Sequence, residues 1–88
     1  MKLRSLARLR FDRRRSTWML VYPGGGMVLN RTAREIVELC QHPITRSDLL
    51  EALAARYPGI SRETLARDTD ELLVQLETRD LLEHAVSP

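Results

Sequence analysis

Eighty-eight residues, 43% hydrophobic and 30% charged with a net charge of +2, allow one domain around one modest core and exclude a disordered chain. No apolar run reaches 18 residues, which excludes a membrane-spanning helix. Arginines interrupt every apolar group of MKLRSLARLRFD, which excludes a signal-peptide core. The lone Cys40 excludes an internal disulfide framework and suits a reducing cytoplasm.

The small net charge hides a division along the chain. Residues 1–34 carry nine basic groups against Asp12 alone, net +8, whereas residues 35–88 carry five against eleven acids, net −6. A basic half joined to an acidic half makes a dipolar surface of the kind that steers partners, although charge also simply solubilises each face.

In chain order, Ala7 to Asp12 alternates apolar and polar, a half-buried strand with Ala7, Leu9 and Phe11 inward. A polar turn over Arg13–Ser16 leads to a denser strand, Thr17–Tyr22. There Trp18, Leu20 and Tyr22 share one face and Met19 and Val21 the other, so both faces are expected to be covered. Pro23-Gly24-Gly25-Gly26 reads as a turn, because proline pre-sets φ and glycine tolerates positive φ. Met27–Leu29 is then a short third strand.

Three helices follow. The first starts at Asn30 or Thr32, both good caps, and shows Ala33, Ile36, Val37 and Cys40 at helical spacing until His42-Pro43 ends it. The second is capped by Thr45 and carries Leu49, Leu50, Leu53 and Tyr57 up to Pro58-Gly59. The third is capped by Ser61 and runs to about Arg79, with Leu65, Thr69, Leu72, Leu73 and Leu76 in one stripe. Leu81 and Leu82 fold back onto the core, and His84–Pro88 is a frayed tail. The fold class is therefore α+β and winged-helix-like: a three-stranded antiparallel sheet followed by a three-helix bundle, βββααα.

The parts for catalysis are missing. Ser47, Ser61 and Cys40 have no histidine at a nucleophile spacing, His42 and His84 have no partner at metal spacing, and the glycines lack the lysine of a phosphate loop. Cys40 on an apolar stripe reads as a packed thiol, and Asp70-Glu71 as a solvated face. No enzyme, metal or cofactor is expected.

Two binding readings remain. A winged helix would read DNA with its third helix, but residues 61–80 hold three arginines against six acids, and phosphate repels such a helix. The second reading starts from Met27-Val28-Leu29, a strand edge with neither the charge nor the proline that normally blocks edges. A peptide can add there as a strand and drop side chains into the adjoining cleft. Four or five backbone hydrogen bonds at about 1 kcal/mol each only offset an association cost of about 4 kcal/mol. The cleft must supply the rest, about 10 kcal/mol for about 400 Å² of apolar surface. The same edge could instead pair with itself in a homodimer or be covered by the tail.

The runs RLRFDRRRSTWMLVYPGGGMVLNRTAREIVELC, ITRSDLLEALAARYPG and RDTDELLVQLETRDLL together resemble the PqqD family of pyrroloquinoline quinone biosynthesis, over nearly the whole chain. The chain departs from the family in Asp80, where glycine usually precedes the final apolar pair, and in its looser Gly24-Gly25-Gly26 turn. The resemblance implies one PqqD-like peptide-recognition domain over residues 1–88. Such proteins are peptide chaperones and the type example of recognition domains for ribosomally made, modified peptides. They bind the precursor PqqA and present it to the radical S-adenosylmethionine enzyme PqqE. It implies peptide contacts at Met27, Val28, Leu29 and Asn30 on the strand and at Asp68, Leu72, Gln75 and Arg79 on the third helix. The alternatives are simple core packing for Leu72 and a local structural hydrogen bond for Asp68. The basic N-terminal half, with Arg13, Arg14 and Arg15, is a candidate surface for the enzyme partner. A precursor from another modified-peptide pathway is the rival ligand.

Overall fold

Strand-forming residues crowd the first third of the chain and helix-forming residues the rest, and the computed structural model follows that division over residues 1–84, the part described here. Strands β1 (Lys2–Leu3), β2 (Arg8–Asp12), β3 (Thr17–Tyr22) and β4 (Gly25–Leu29) precede helices α1 (Arg31–Leu39), α2 (Arg46–Arg56) and α3 (Arg62–Thr78); β5 (Leu82–Glu83) follows. The three-stranded sheet has the order β2-β3-β4, antiparallel throughout. Apart from His84, the expected tail lies outside the described residues.

The turn between β3 and β4 is shorter than its glycines suggest. Tyr22 pairs with Gly25, so only Pro23 and Gly24 form the loop, and Gly24 takes the positive φ of 89° that a Pro-Gly turn requires. Gly25 and Gly26 belong to β4, which is two residues longer than expected. A Cβ at Gly25 would lie 3.2 Å from the Tyr22 ring, so a side chain there would have to push that ring aside by a few tenths of an ångström.

Each helix starts on a side-chain cap. Asn30 Oδ1 accepts the Ala33 N–H at 2.8 Å, Thr45 Oγ1 that of Asp48 at 3.1 Å, and Ser61 Oγ that of Thr64 at 3.2 Å. Asn30, not Thr32, therefore caps α1. Helix α3 ends in a Schellman motif: Leu81 N–H bonds the Leu76 carbonyl, Asp80 N–H bonds that of Glu77, and Asp80 sits at φ 57°. Aspartate thus occupies the left-handed position that glycine commonly takes.

The core gathers where the two patterns meet. Leu20 and Leu29 from the sheet pack with Ile36, Val37 and Cys40 of α1, Leu49 and Leu53 of α2, and the whole expected stripe of α3. Leu81 and Leu82 fold back as expected. They do so through a two-residue ribbon, β1 with β5, that periodicity could not signal. Backbone bonds of 2.7 Å from Leu3 N–H to the Cys40 carbonyl and 2.8 Å from Arg4 N–H to the Leu81 carbonyl fix it.

Two expectations about the sheet need correction. Phe11 faces the same side as Trp18, its partner in register, but it stays 44% exposed and outside the core cluster, its ring meeting the Trp18 ring edge-on with centroids 5.4 Å apart. The second face of β3 is not covered either. Val21 is 36% exposed there, beside Val28 at 59%, because all three helices pack on the other face.

Candidate functional site

The short Pro-Gly loop decides what β4 offers. A two-residue loop makes Tyr22 and Gly25 a hydrogen-bonded pair, and antiparallel ladders alternate. Met27 and Leu29 therefore bond to β3, while Gly26 and Val28 turn their N–H and C=O groups away from it. Among the described residues nothing pairs with that outer edge. No proline, charge or bulge blocks it.

Beside the edge lies a cleft of about 320 Å³, floored by α1 and walled by α3. Its lining contains seven of the eight residues singled out from the sequence: Met27, Val28, Leu29, Asn30, Asp68, Leu72 and Gln75. The volume falls in the range of ligand sites, ~300–1,000 Å³. Ile36 of the floor and Leu72 of the wall are apolar and buried, 1% and 8% exposed. Leu72 thus serves both core and cleft.

Arg79 stands outside the lining, at one end of the cleft. Its Nε donates to Tyr22 Oη at 3.0 Å and its Nη1 to the Gln75 carbonyl at 3.1 Å. Asp68 makes no local hydrogen bond among the described residues; Arg67 Nε lies 3.7 Å from its carboxylate.

Sequence reading missed Thr32, Ala33 and Ile36 of α1 and Glu71 of α3, which also line the cleft. Glu71 follows Asp68 by three residues and precedes Gln75 by four, and that spacing could have found it. Adjacent acids such as Asp70-Glu71 read instead as a solvated face. The structure separates them. Asp70 turns to α2, where Arg46 Nε and Nη2 donate to its carboxylate at 2.7 and 2.8 Å. That hydrogen-bonded guanidinium holds the Asp70 carboxyl below its ordinary range and Arg46 above its own.

Arg13, Arg14 and Arg15 occupy the loop between β2 and β3. Asp12 Oδ1 organises this loop by accepting the N–H groups of Arg14 and Arg15 at 3.0 and 3.4 Å. Arg13 and Arg14 border a hollow with Met19 and Val21 on the uncovered side of the sheet. Strand β3 lies between this surface and the cleft. Among the described residues no His, Cys, Asp and Glu cluster has the grouping of a metal site, and no helix is long and apolar enough to cross a membrane.

A three-stranded antiparallel sheet followed by three helices is the architecture this chain shares with recognition domains of modified-peptide pathways. Its backbone superposes with a TM-score of 0.76 on a solved PqqD truncation of Methylobacterium extorquens PqqCD, described as a stand-alone RiPP recognition element. That pair is 25% identical over 94% of this chain and 87% of the other. PqqD from Xanthomonas campestris aligns at 0.62 with 25% identity, covering 96% and 92% of the two chains. TbiB1, solved with the TbiA(beta) leader peptide, shares the fold at 0.76 with 21% identity, over 99% and 100%.

The family model described as coenzyme PQQ synthesis protein D matches residues 17–82, and the chain belongs to the PqqD family. A PqqA binding protein of Rhodopseudomonas palustris is 32% identical over 79 residues, 90% of this chain and 76% of the relative. That of Bradyrhizobium diazoefficiens is 28% identical over the same shares.

Proposed function

We propose that this chain is a peptide chaperone of pyrroloquinoline quinone biosynthesis. It takes up the precursor PqqA as an added strand on β4 and presents it to the radical S-adenosylmethionine enzyme PqqE. The observation that carries this reading is the open edge of β4 lying along the cleft. Family membership and the PqqA binding relatives supply the identity of the peptide.

The energetics fit that division of labour. Gly26 and Val28 offer four backbone hydrogen bonds, which at about 1 kcal/mol each do little more than offset association. Affinity then rests on side chains entering the cleft over Ile36 and Leu72. The loop arginines Arg13, Arg14 and Arg15 serve as the enzyme-facing surface. Because β3 separates them from the cleft, peptide and enzyme can be held at once.

Titration of the isotope-labelled chain with a PqqA-type precursor tests the reading. Amide shifts concentrated at Met27–Asn30 and along residues 68–79 are expected. No shift at peptide concentrations far above micromolar would remove PqqA as the ligand, leaving the precursor of another modified-peptide pathway.

A further inference from the structure

The cleft carries opposite charges at its two ends. Arg79 contacts Tyr22, the register partner of Gly25 where β4 begins, whereas Asp68 and Glu71, about three and two turns earlier on α3, line the cleft, as do Leu29 and Asn30 at the other end of β4. Helix α3 therefore runs against β4, with two carboxylates near the strand's last residues and a guanidinium near its first. Among the described residues Glu71 makes no ion pair and Asp68 has only Arg67 Nε, at 3.7 Å with no hydrogen bond, while Arg79 keeps Nη2 without a bonded partner. The two arginines of the first turn of α1 do not cancel this acidic end. Arg31 and Arg34 line a separate hollow with Trp18 and have Glu35 and Glu38 at 3.9 and 2.9 Å.

Resting on the strand-addition reading above, we infer that the cleft selects a segment of the pattern cation–x–apolar–x–acid. Glu71 and Arg79 are eight residues apart, about 12 Å along a helix, and Asp68 and Arg79 eleven, about 16 Å. On an extended peptide, residues four apart share a face and lie about 13 Å from each other. One face of the added strand thus sets a cation against Asp68 and Glu71 and an acid against Arg79. The residue midway between them lies over Ile36 and Leu72. Antiparallel addition, the slightly more stable pairing, puts the cation first.

Two synthetic twelve-residue peptides of identical composition test this, one with the core Lys-Thr-Leu-Thr-Glu and one with Glu-Thr-Leu-Thr-Lys. Each is titrated into the labelled chain at low salt and at 0.5 M salt. The first is expected to bind about tenfold tighter at low salt, two exposed ion pairs against two repulsions. The gap should narrow at 0.5 M as screening shortens. The double variant Asp68→Lys, Glu71→Lys should lose that preference. Equal affinities, with β4 amides shifting for both peptides, would overturn the charge pattern and leave strand addition standing. So would a PqqA-type precursor that shifts β4 while neither synthetic peptide does so at millimolar concentration. If the precursor also left β4 unmoved, the proposed function would fall together with the pattern.

Discussion

Cys40 ends α1 with no exposed surface, and burial pushes its thiol from 9.0 to about 11. A folded pKa above the unfolded one means that the native state binds the extra proton. Stability is therefore whole below pH 9 and is lost as pH rises toward 11, by up to about 3 kcal/mol. Urea midpoints should fall across that window in the wild type, and the part due to the thiol should vanish in Cys40→Ala. At pH 7 a thiol reagent should label Cys40 only on unfolding. The packed state of this side chain was legible from its place on an apolar stripe. The roles of Gly25 and Glu71 were not, for a shared reason. Composition marks glycines as turn and adjacent acids as solvated, but pairing with Tyr22 places one and helical spacing the other.

At the scale of elements, helix starts were readable because caps are local: Asn30, Thr45 and Ser61 each bond a backbone N–H three residues on. The end of α3 was readable for the same reason, since Asp80 is among the few residues that accept a left-handed conformation. Asp80→Val should cost about 1–2 kcal/mol, because a branched side chain clashes in that conformation. Asp80→Gly should leave stability near that of the wild type, and denaturant midpoints separate the two. The ribbon of β1 with β5 escaped reading because two residues hold no period and the pairing bridges some 80 positions. The expectation that both faces of β3 were covered failed for a tertiary reason: apolar residues on both faces do not reveal that the helices all pack on one.

Over the whole molecule, the charge division of the chain becomes a division in space, with basic groups on the sheet and its loop and acids along α3. An acidic α3 makes a poor reader of DNA and forms one wall of the cleft. In the proposed function the loop arginines form the surface that meets the enzyme. Arg13, Arg14 and Arg15 reversed to glutamate should leave the fold and peptide affinity unchanged, because all three are exposed and removed from the cleft. Affinity for PqqE should weaken at least about tenfold at low salt and less at high salt, as screened rim charges do. An unchanged affinity in pull-down or calorimetry would reassign the enzyme surface.

The central claim, that the ligand joins the sheet as a strand on β4, is tested most directly by amide hydrogen exchange with and without a PqqA-type precursor. In the free chain the N–H groups of Met27 and Leu29 bond to β3 and should exchange slowly, while those of Gly26 and Val28 exchange fast. With the precursor bound, Gly26 and Val28 should slow by more than an order of magnitude, so that the alternation along β4 disappears. Saturated binding with Gly26 and Val28 still exchanging at their free rates would contradict strand addition.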